Sequence, residues 1–106
     1  MSGLNGIVEG RVIGTPEKRV SKRSGKNYTT FSLGYNEYNG EERIVAVRCF
    51  TERTSSAAAR LTPGCAVQAE GALFLNSFEK NGEKVASLSI NATIVRLIDP
   101  PEGTTF

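Results

Sequence analysis

The stretch CAVQAEGALFLNSFEKNGEKVASLSINATIVRL, residues 65–97, decides the fold of this chain. It contains two long runs of alternating apolar and polar residues, and the alternation is cleanest in the second, where serine, asparagine and threonine separate Leu88, Ile90, Ala92 and Ile94. A period of two indicates β-strands with one buried face. Asn81-Gly82 between the runs is a dipeptide favoured in tight hairpin turns. The sequence therefore predicts a hairpin of two strands, Cys65–Phe78 and Lys84–Leu97.

The preceding part of the chain shows the same pattern and predicts three more strands: Leu4–Thr15, ended by Pro16, then Tyr28–Asn36 and Arg43–Phe50. One short helix is predicted from Thr54 to Leu61, because cap-forming residues precede three alanines and a Pro-Gly pair follows. Three strands, a helix and two strands are the element order of the OB-fold, a five-stranded Greek-key barrel. We expect an all-β protein of this architecture, with its helix between strands 3 and 4.

Length and composition are those of one globular domain. The chain has 106 residues, of which 39% are hydrophobic, and we expect residues 1–99 to form the domain and residues 100–106 a frayed tail. No apolar run reaches the roughly 18 residues that a membrane span needs. The N-terminus has neither a basic region nor an apolar region of a signal peptide, so we expect a cytoplasmic protein that does not contact membranes.

Few residues here suit catalysis or metal binding. The chain has no histidine, which is the commonest general base and metal ligand. Its two cysteines, Cys49 and Cys65, lie in predicted strands between apolar residues, and we interpret them as small buried side chains. No glycine-rich loop stands between a strand and a helix as phosphate-binding motifs require. We therefore expect no enzyme activity, no cofactor and no metal.

Cations and aromatic residues suggest nucleic-acid binding. Single strands are bound by basic residues that contact phosphates and by flat side chains on which bases stack. The segment Lys18–Lys26 holds five cations and no acid, and several phenylalanines lie on the strand face opposite the aliphatic core. The candidate stacking residues are Phe50, Phe74, Phe78 and Tyr38, and the candidate phosphate contacts are Lys22, Arg23, Lys26, Arg48, Lys80 and Lys84.

Two interpretations of the outward phenylalanines stay open. A barrel of this size has no second core, so an outward ring serves either a ligand or a subunit contact. We favour a ligand for Phe50 and Phe78 and leave both options for Phe74. The first strand, with Asn5, Ile7 and Glu9 on one parity, is a candidate edge for pairing with another subunit.

The sequence resembles the bacterial single-stranded DNA-binding protein family. The resemblance is carried by NGIVEGRVIGTPE (5–17), TTFSLG (29–34), VRCF (47–50) and VQAEGAL (67–73), and covers roughly residues 4 to 97. It implies a homo-oligomer, dimer or tetramer, that binds single-stranded DNA during replication, repair or recombination. It also implies that Phe50, Phe78 and Tyr38 fall at or near base-stacking positions.

The chain departs from the family in three respects. Ile44 stands where a tryptophan is usual, the chain contains no tryptophan, and only Asp99 and Glu102 stand near the end, where the family has a long tail with an acidic tip. Either such a tail has been cut from this sequence or the protein is a short relative. A tail-less relative, the primosomal replication protein, which pairs strand binding with helicase partners, is the first alternative. A protein-interaction module without nucleic-acid binding and an RNA-binding module are the others.

Overall fold

The computed structural model describes residues 4–36 and 40–100, without the side chains of six residues in the last hairpin. It contains five strands and one helix in those ranges: β1 (Leu4–Val20), β2 (Asn27–Asn36), β3 (Glu42–Cys49), α1 (Glu52–Ala59), β4 (Ala66–Lys80) and β5 (Glu83–Asp99). Tyr38 and the predicted tail beyond Pro100 lie outside the described residues.

The five strands form a closed barrel in the order β1-β2-β3-β5-β4. All neighbouring pairs are antiparallel except β3 and β5, which run parallel from Val45, opposite Leu88, to Arg48, opposite Asn91. The helix connects β3 to β4. The predicted OB-fold, with its helix between strands 3 and 4, is confirmed.

The core fills the inside of the barrel with small and branched side chains. It consists of the inward residues of all five strands and one face of α1, and its fully buried members include Leu33, Val45, Val47, Val67 and Ile90. Cys49 and Cys65 are both free and buried in it, as predicted. Burial raises the pKa of the Cys49 thiol to about 11, although a hydrogen bond with Thr54 acts in the opposite direction.

The prediction that Pro16 ends the first strand is wrong, because β1 continues to Val20. Pairing with β2 is interrupted between Ile13, opposite Ser32, and Glu17, opposite Thr30, and then resumes. Gly14, with φ of 73°, turns the chain inside this irregularity. A bulge accommodates a proline, because residues within a bulge do not donate hydrogen bonds to the neighbouring strand.

Two side-chain directions in the last hairpin differ from those that the alternating pattern predicts. Thr93 is an extra residue in β5, since Gly71 pairs with Ala92 and Glu70 pairs with Ile94, and its hydroxyl donates to the Glu70 carbonyl at 3.2 Å. After this bulge the inward position passes from Ile94 to Val95, which packs against the core. Leu75 has the same parity as the buried Val67 and Ala69 and is expected to face inward, but it is 75% exposed because the hairpin extends beyond the barrel there.

Ser89 lies on the outer side of β5, as the alternation predicts. It is nevertheless only 3% exposed, and it accepts a hydrogen bond from Arg48.

The helix begins two residues earlier than predicted. Its N-cap is Thr51, whose Oγ1 accepts a hydrogen bond from the Thr54 backbone N–H at 3.1 Å. Thr54, predicted to open the helix, is a buried residue in its first turn. The cap follows Phe50 directly, so the end of β3 and the start of α1 fix the backbone on both sides of that ring.

At the bulge of the β4–β5 hairpin the two strands approach each other closely at Gly71. A Cβ built there would lie 2.1 Å from the carbonyl oxygen of Asn91, a distance that the backbone would have to open. At Gly6, in contrast, an added Cβ would meet only the end of the Leu73 side chain, at 2.6 Å from its Cδ1. A side chain at Gly71 would therefore displace the backbone of β5, whereas a side chain at Gly6 would displace only the flexible side chain of Leu73.

We expect Gly71→Ala to lower the free energy of unfolding by about 1–3 kcal/mol, as overpacking of an interior does. Urea denaturation followed by circular dichroism measures the change. Gly6→Ala is the matched control and should cost clearly less, because Leu73 can change rotamer. Equal losses for the two variants would contradict the assignment of Gly71 as a backbone contact.

Candidate nucleic-acid interface

One outer face of the barrel carries most of the described site residues. Inward residues such as Phe31 and Val47 are buried, so their strand neighbours Thr30 and Arg48 point outward. Paired residues of adjacent strands share a face. The outward residues of β2 and of β3 therefore form two rows that lie side by side across the sheet. We call this surface the β2–β3 face; its residues are Arg19, Tyr28, Thr30, Ser32, Ala46, Arg48, Phe50, Phe74 and Ser89.

The middle of the β2–β3 face is a shallow hollow with a volume of about 430 Å³. Its floor is made by small side chains, including Thr30, Ser32 and Ala46, and Arg19, Arg48 and Tyr28 contribute to its walls. Because small residues line the floor, a flat group can approach the sheet closely there.

Aromatic rings lie at two ends of this face. Phe74 is on β4, paired with Ser89, and is 42% exposed. Phe50, at the end of β3, is 37% exposed and stacks on Tyr28, with ring centroids 4.8 Å apart and an interplanar angle of 27°. The predicted outward direction of Phe50 and Phe74 is thus confirmed. The role of Tyr28 was missed, although its parity with Thr30 and Ser32 could have shown that it points outward.

Arg48 lies between the aromatic ends. Its guanidinium Nη1 donates to Ser89 Oγ at 3.2 Å, which orients the side chain across β5. Part of the guanidinium remains available, since this donor-rich group can make up to five hydrogen bonds. The structure therefore places a cation in the wall of the hollow, between the two aromatic positions.

The predicted basic segment is divided between a strand and a turn. Lys18 and Arg19 belong to β1, whereas Lys22, Arg23 and Lys26 are exposed in the turn between β1 and β2. The turn is closed by backbone hydrogen bonds from Ser21 N–H to the Lys26 carbonyl and from Gly25 N–H to the Ser21 carbonyl, both 2.8 Å. Its three cations emerge beside Tyr28, because Asn27 starts β2.

Three further candidates lie in the β4–β5 hairpin, and their side chains are not described. Phe78 pairs with Val85, Glu79 with Lys84 and Lys80 with Glu83 along the backbone of the hairpin. Its turn is made by Asn81 and Gly82, which have φ of 53° and 80°, as the Asn-Gly signal predicted. Phe78, Lys80, Lys84 and the undescribed Tyr38 therefore stay predictions.

A second surface lies around the first half of β1. Residues 4–11 pair with β4, and pairing with β2 starts only at Arg11, so within the described residues no strand covers the other edge of Leu4–Gly10. Ile7 on this segment is 56% exposed. A groove with a volume of about 740 Å³ runs beside the open edge. Its lining includes Glu9, Gly10, Tyr35, Ile44 and Ile98.

Other kinds of site were sought in the described ranges. No group of three or more histidine, cysteine, aspartate or glutamate residues there could hold a metal ion. Nor does that part of the chain contain a helix long and apolar enough to cross a membrane.

Structures similar to this one share its barrel. A small single-stranded DNA-binding protein from Streptomyces coelicolor superimposes with a TM-score of 0.71 and 20% sequence identity, over 92% of this chain and 96% of that one. A mitochondrial single-stranded DNA-binding protein from S. cerevisiae gives a TM-score of 0.74 and 19% identity, over 94% and 99% of the two chains. At these identities the likeness establishes the fold.

Sequence comparison establishes the family. The model of the single-strand binding protein family matches residues 5–98. A single-stranded DNA-binding protein from Aquifex aeolicus (strain VF5) is 31% identical over 105 residues, which are 92% of this chain and 71% of that protein. The resemblance seen in the sequence motifs is confirmed, and the chain belongs to the single-strand binding protein family.

Proposed function

We propose that this protein binds single-stranded DNA across the β2–β3 face, without strong preference for sequence. The observation that carries the proposal is the placement of two exposed aromatic rings, Phe50 and Phe74, on one face with Arg48 between them. The relative from Aquifex aeolicus is named for the same activity. The family is one of non-catalytic DNA-binding proteins, in agreement with the expectation that the chain is not an enzyme.

The two kinds of residue would have different tasks. Bases would stack on Phe50 and Phe74, which contributes about 1–3 kcal/mol for each stacked base and tolerates any sequence, because every base has a flat face. Phosphates would be bound by Arg48 and by the turn cations Lys22, Arg23 and Lys26. In a duplex the bases already stack on each other, so the rings of this face would have no partner.

The proposal extends to residues that the described structure leaves untested. Phe78 and Tyr38 would add stacking positions, and Lys80 and Lys84 would lengthen the phosphate path along the hairpin. We propose that the protein acts in the cytoplasm, in replication, repair or recombination, and that proteins of those processes are its partners.

The proposed activity is tested by fluorescence anisotropy with a labelled ~35-nucleotide deoxythymidine oligomer and a matched duplex. We expect tight binding of the single strand and much weaker binding of the duplex. The logarithm of the affinity should fall linearly with the logarithm of the salt concentration, by about 0.7 for each phosphate contact. No binding of the single strand at low salt would refute the proposal and favour a protein-docking role for the aromatic face.

The stacking role of Phe74 is tested by Phe74→Ala in the same assay. We expect a loss of about 1–3 kcal/mol in binding free energy, as removal of a stacking ring produces. Leu75→Ala is the matched control, because Leu75 is the next residue on β4, is 75% exposed and points to the opposite side of the hairpin. A similar loss for both variants, or none for Phe74→Ala, would reject the stacking assignment.

We also propose that the protein is a homo-oligomer built through the open edge of β1. An uncovered strand edge with exposed apolar side chains is a template for pairing with another chain. Leu4 and Ile7 on this segment are exposed, and the neighbouring groove offers further apolar surface from Ile44 and Ile98. A second copy of β1 pairing antiparallel would satisfy the backbone groups of both edges and bring the two Ile7 side chains near each other.

Sedimentation velocity at micromolar concentration measures the assembly. We expect the mass of a dimer or tetramer for the wild type and a shift toward monomer for Ile7→Glu, which would place like charges close together. Val20→Glu, an exposed position of β1 outside this edge, should leave the mass unchanged. A monomeric wild type would contradict the proposal.

A further inference from the structure

We propose that Tyr28, Phe50 and Arg19 form a subsite for one nucleotide at the end of the β2–β3 face. In this subsite Tyr28 holds the ring of Phe50, on which a base stacks, and Arg19 binds an adjacent phosphate. The inference rests on the proposed function, since it concerns the same DNA strand, and adds to it a positioning residue and a phosphate contact.

The geometry of the two rings defines where the base goes. With centroids 4.8 Å apart and planes inclined by 27°, Tyr28 and Phe50 are already in stacking contact. No space remains for a base between them, so a base can stack only on the outer surface of the pair. Phe50 is the more exposed of the two rings and Tyr28 is partly buried, which makes Phe50 the platform and Tyr28 its support.

Both rings are held by the start of helix α1. Phe50 stands between the buried Cys49 and Thr51, the N-cap of the helix. Tyr28 precedes Thr29, which is 1% exposed and shares a hydrogen bond between its hydroxyl and that of Ser55 on the helix. Because their backbones are fixed before the strand arrives, binding costs less ordering entropy than it would with mobile rings.

Arg19 supplies the charge at this position. It pairs with Tyr28 across the β1–β2 ladder, and its guanidinium contacts the Glu17 carboxylate at 2.7 Å. The two side chains are 58% and 62% exposed, and an ion pair so exposed contributes little. A phosphate, which accepts charge-assisted hydrogen bonds from the arginine fork, can therefore compete with Glu17 for Arg19.

The surroundings give the strand a route past the subsite. Arg19 and Tyr28 form a ridge, with the hollow of the β2–β3 face on one side and a second hollow of about 340 Å³ on the other. The second hollow is also lined by Lys18, Asn27 and Ser55, which are polar or positively charged. A strand that crosses this ridge would meet a cation in each hollow, Arg48 in the first and Lys18 in the second.

The test uses the full chain and anisotropy with a labelled deoxythymidine oligomer, comparing Phe50→Ala, Tyr28→Leu and the double variant. We expect each single variant to weaken binding about five- to 150-fold, the range that one stacked base gives. The double variant should be no weaker than Phe50→Ala alone, because Tyr28 acts through Phe50. Tyr28→Phe, which keeps the ring, should recover the affinity lost in Tyr28→Leu.

Further measurements distinguish loss of the subsite from unfolding of a variant and test the contact from Arg19 separately. Leu97→Ala is the control, because Leu97 is an exposed residue of β5 that lines neither hollow, and thermal unfolding of every variant identifies a loss of fold. Arg19→Gln should reduce the slope of log affinity against log salt by about 0.7. An unchanged slope would remove Arg19 from the subsite.

Three further outcomes would decide the role of Tyr28, the existence of the subsite and the proposed function. Full affinity in Tyr28→Leu, or losses that multiply in the double variant, would overturn the role of Tyr28. If the wild type binds and Phe74→Ala weakens it while Phe50→Ala does not, the subsite fails and the proposed function stands. If the wild type does not bind, both fail.

Discussion

The close approach of backbones at glycine is the constraint on which the rest of this structure depends. At Gly71 the β4 chain runs against the carbonyl of Asn91, and at Gly10 an added Cβ would lie 2.4 Å from the carbonyl of Gly34. Any side chain at these points would hold the strands apart. Because Gly10 has no side chain, β1 can pass from its pairing with β4 to its pairing with β2, and the sheet closes on itself around a narrow core.

In a narrow barrel the inward residues form the core, and the large outward residues stay at the surface. The inside takes mainly small and branched side chains together with the ring of Phe31, and it buries Leu33, Val45 and Ile90 completely. Large rings on the outer parity, Phe50 and Phe74, have no interior to enter and remain at the surface. Exposing them is unfavourable in the free protein, and stacking on a base would remove that cost. The feature that limits the core thus also produces the surface that the proposed function uses.

The period-two pattern predicted all five strands, and cap residues followed by alanines predicted the helix; their order in turn predicted the barrel, because alternation, caps and turn chemistry are local properties that the sequence displays. It failed where an irregularity intervenes: Pro16 sits within a bulge, and Thr93 shifts the parity of β5. For the site, parity correctly placed Phe50, Phe74 and Arg48 outside. The Tyr28–Phe50 stack was missed because it joins two strands whose register only the folded sheet reveals. The burial of Ser89 was not predicted, because it results from a contact with Arg48 on another strand.

The parallel pairing of β3 with β5 has a consequence for how the protein matures. Ala46 meets Ser89 and Arg48 meets Asn91 across this pair, although the segments lie far apart in the chain. Contacts between distant segments slow folding, because a long loop must close before they form. On the ribosome, β1 to β3 emerge first, and the β2–β3 face stays incomplete until the last strand is released. The surface proposed for DNA is therefore assembled only once synthesis of β5 has finished.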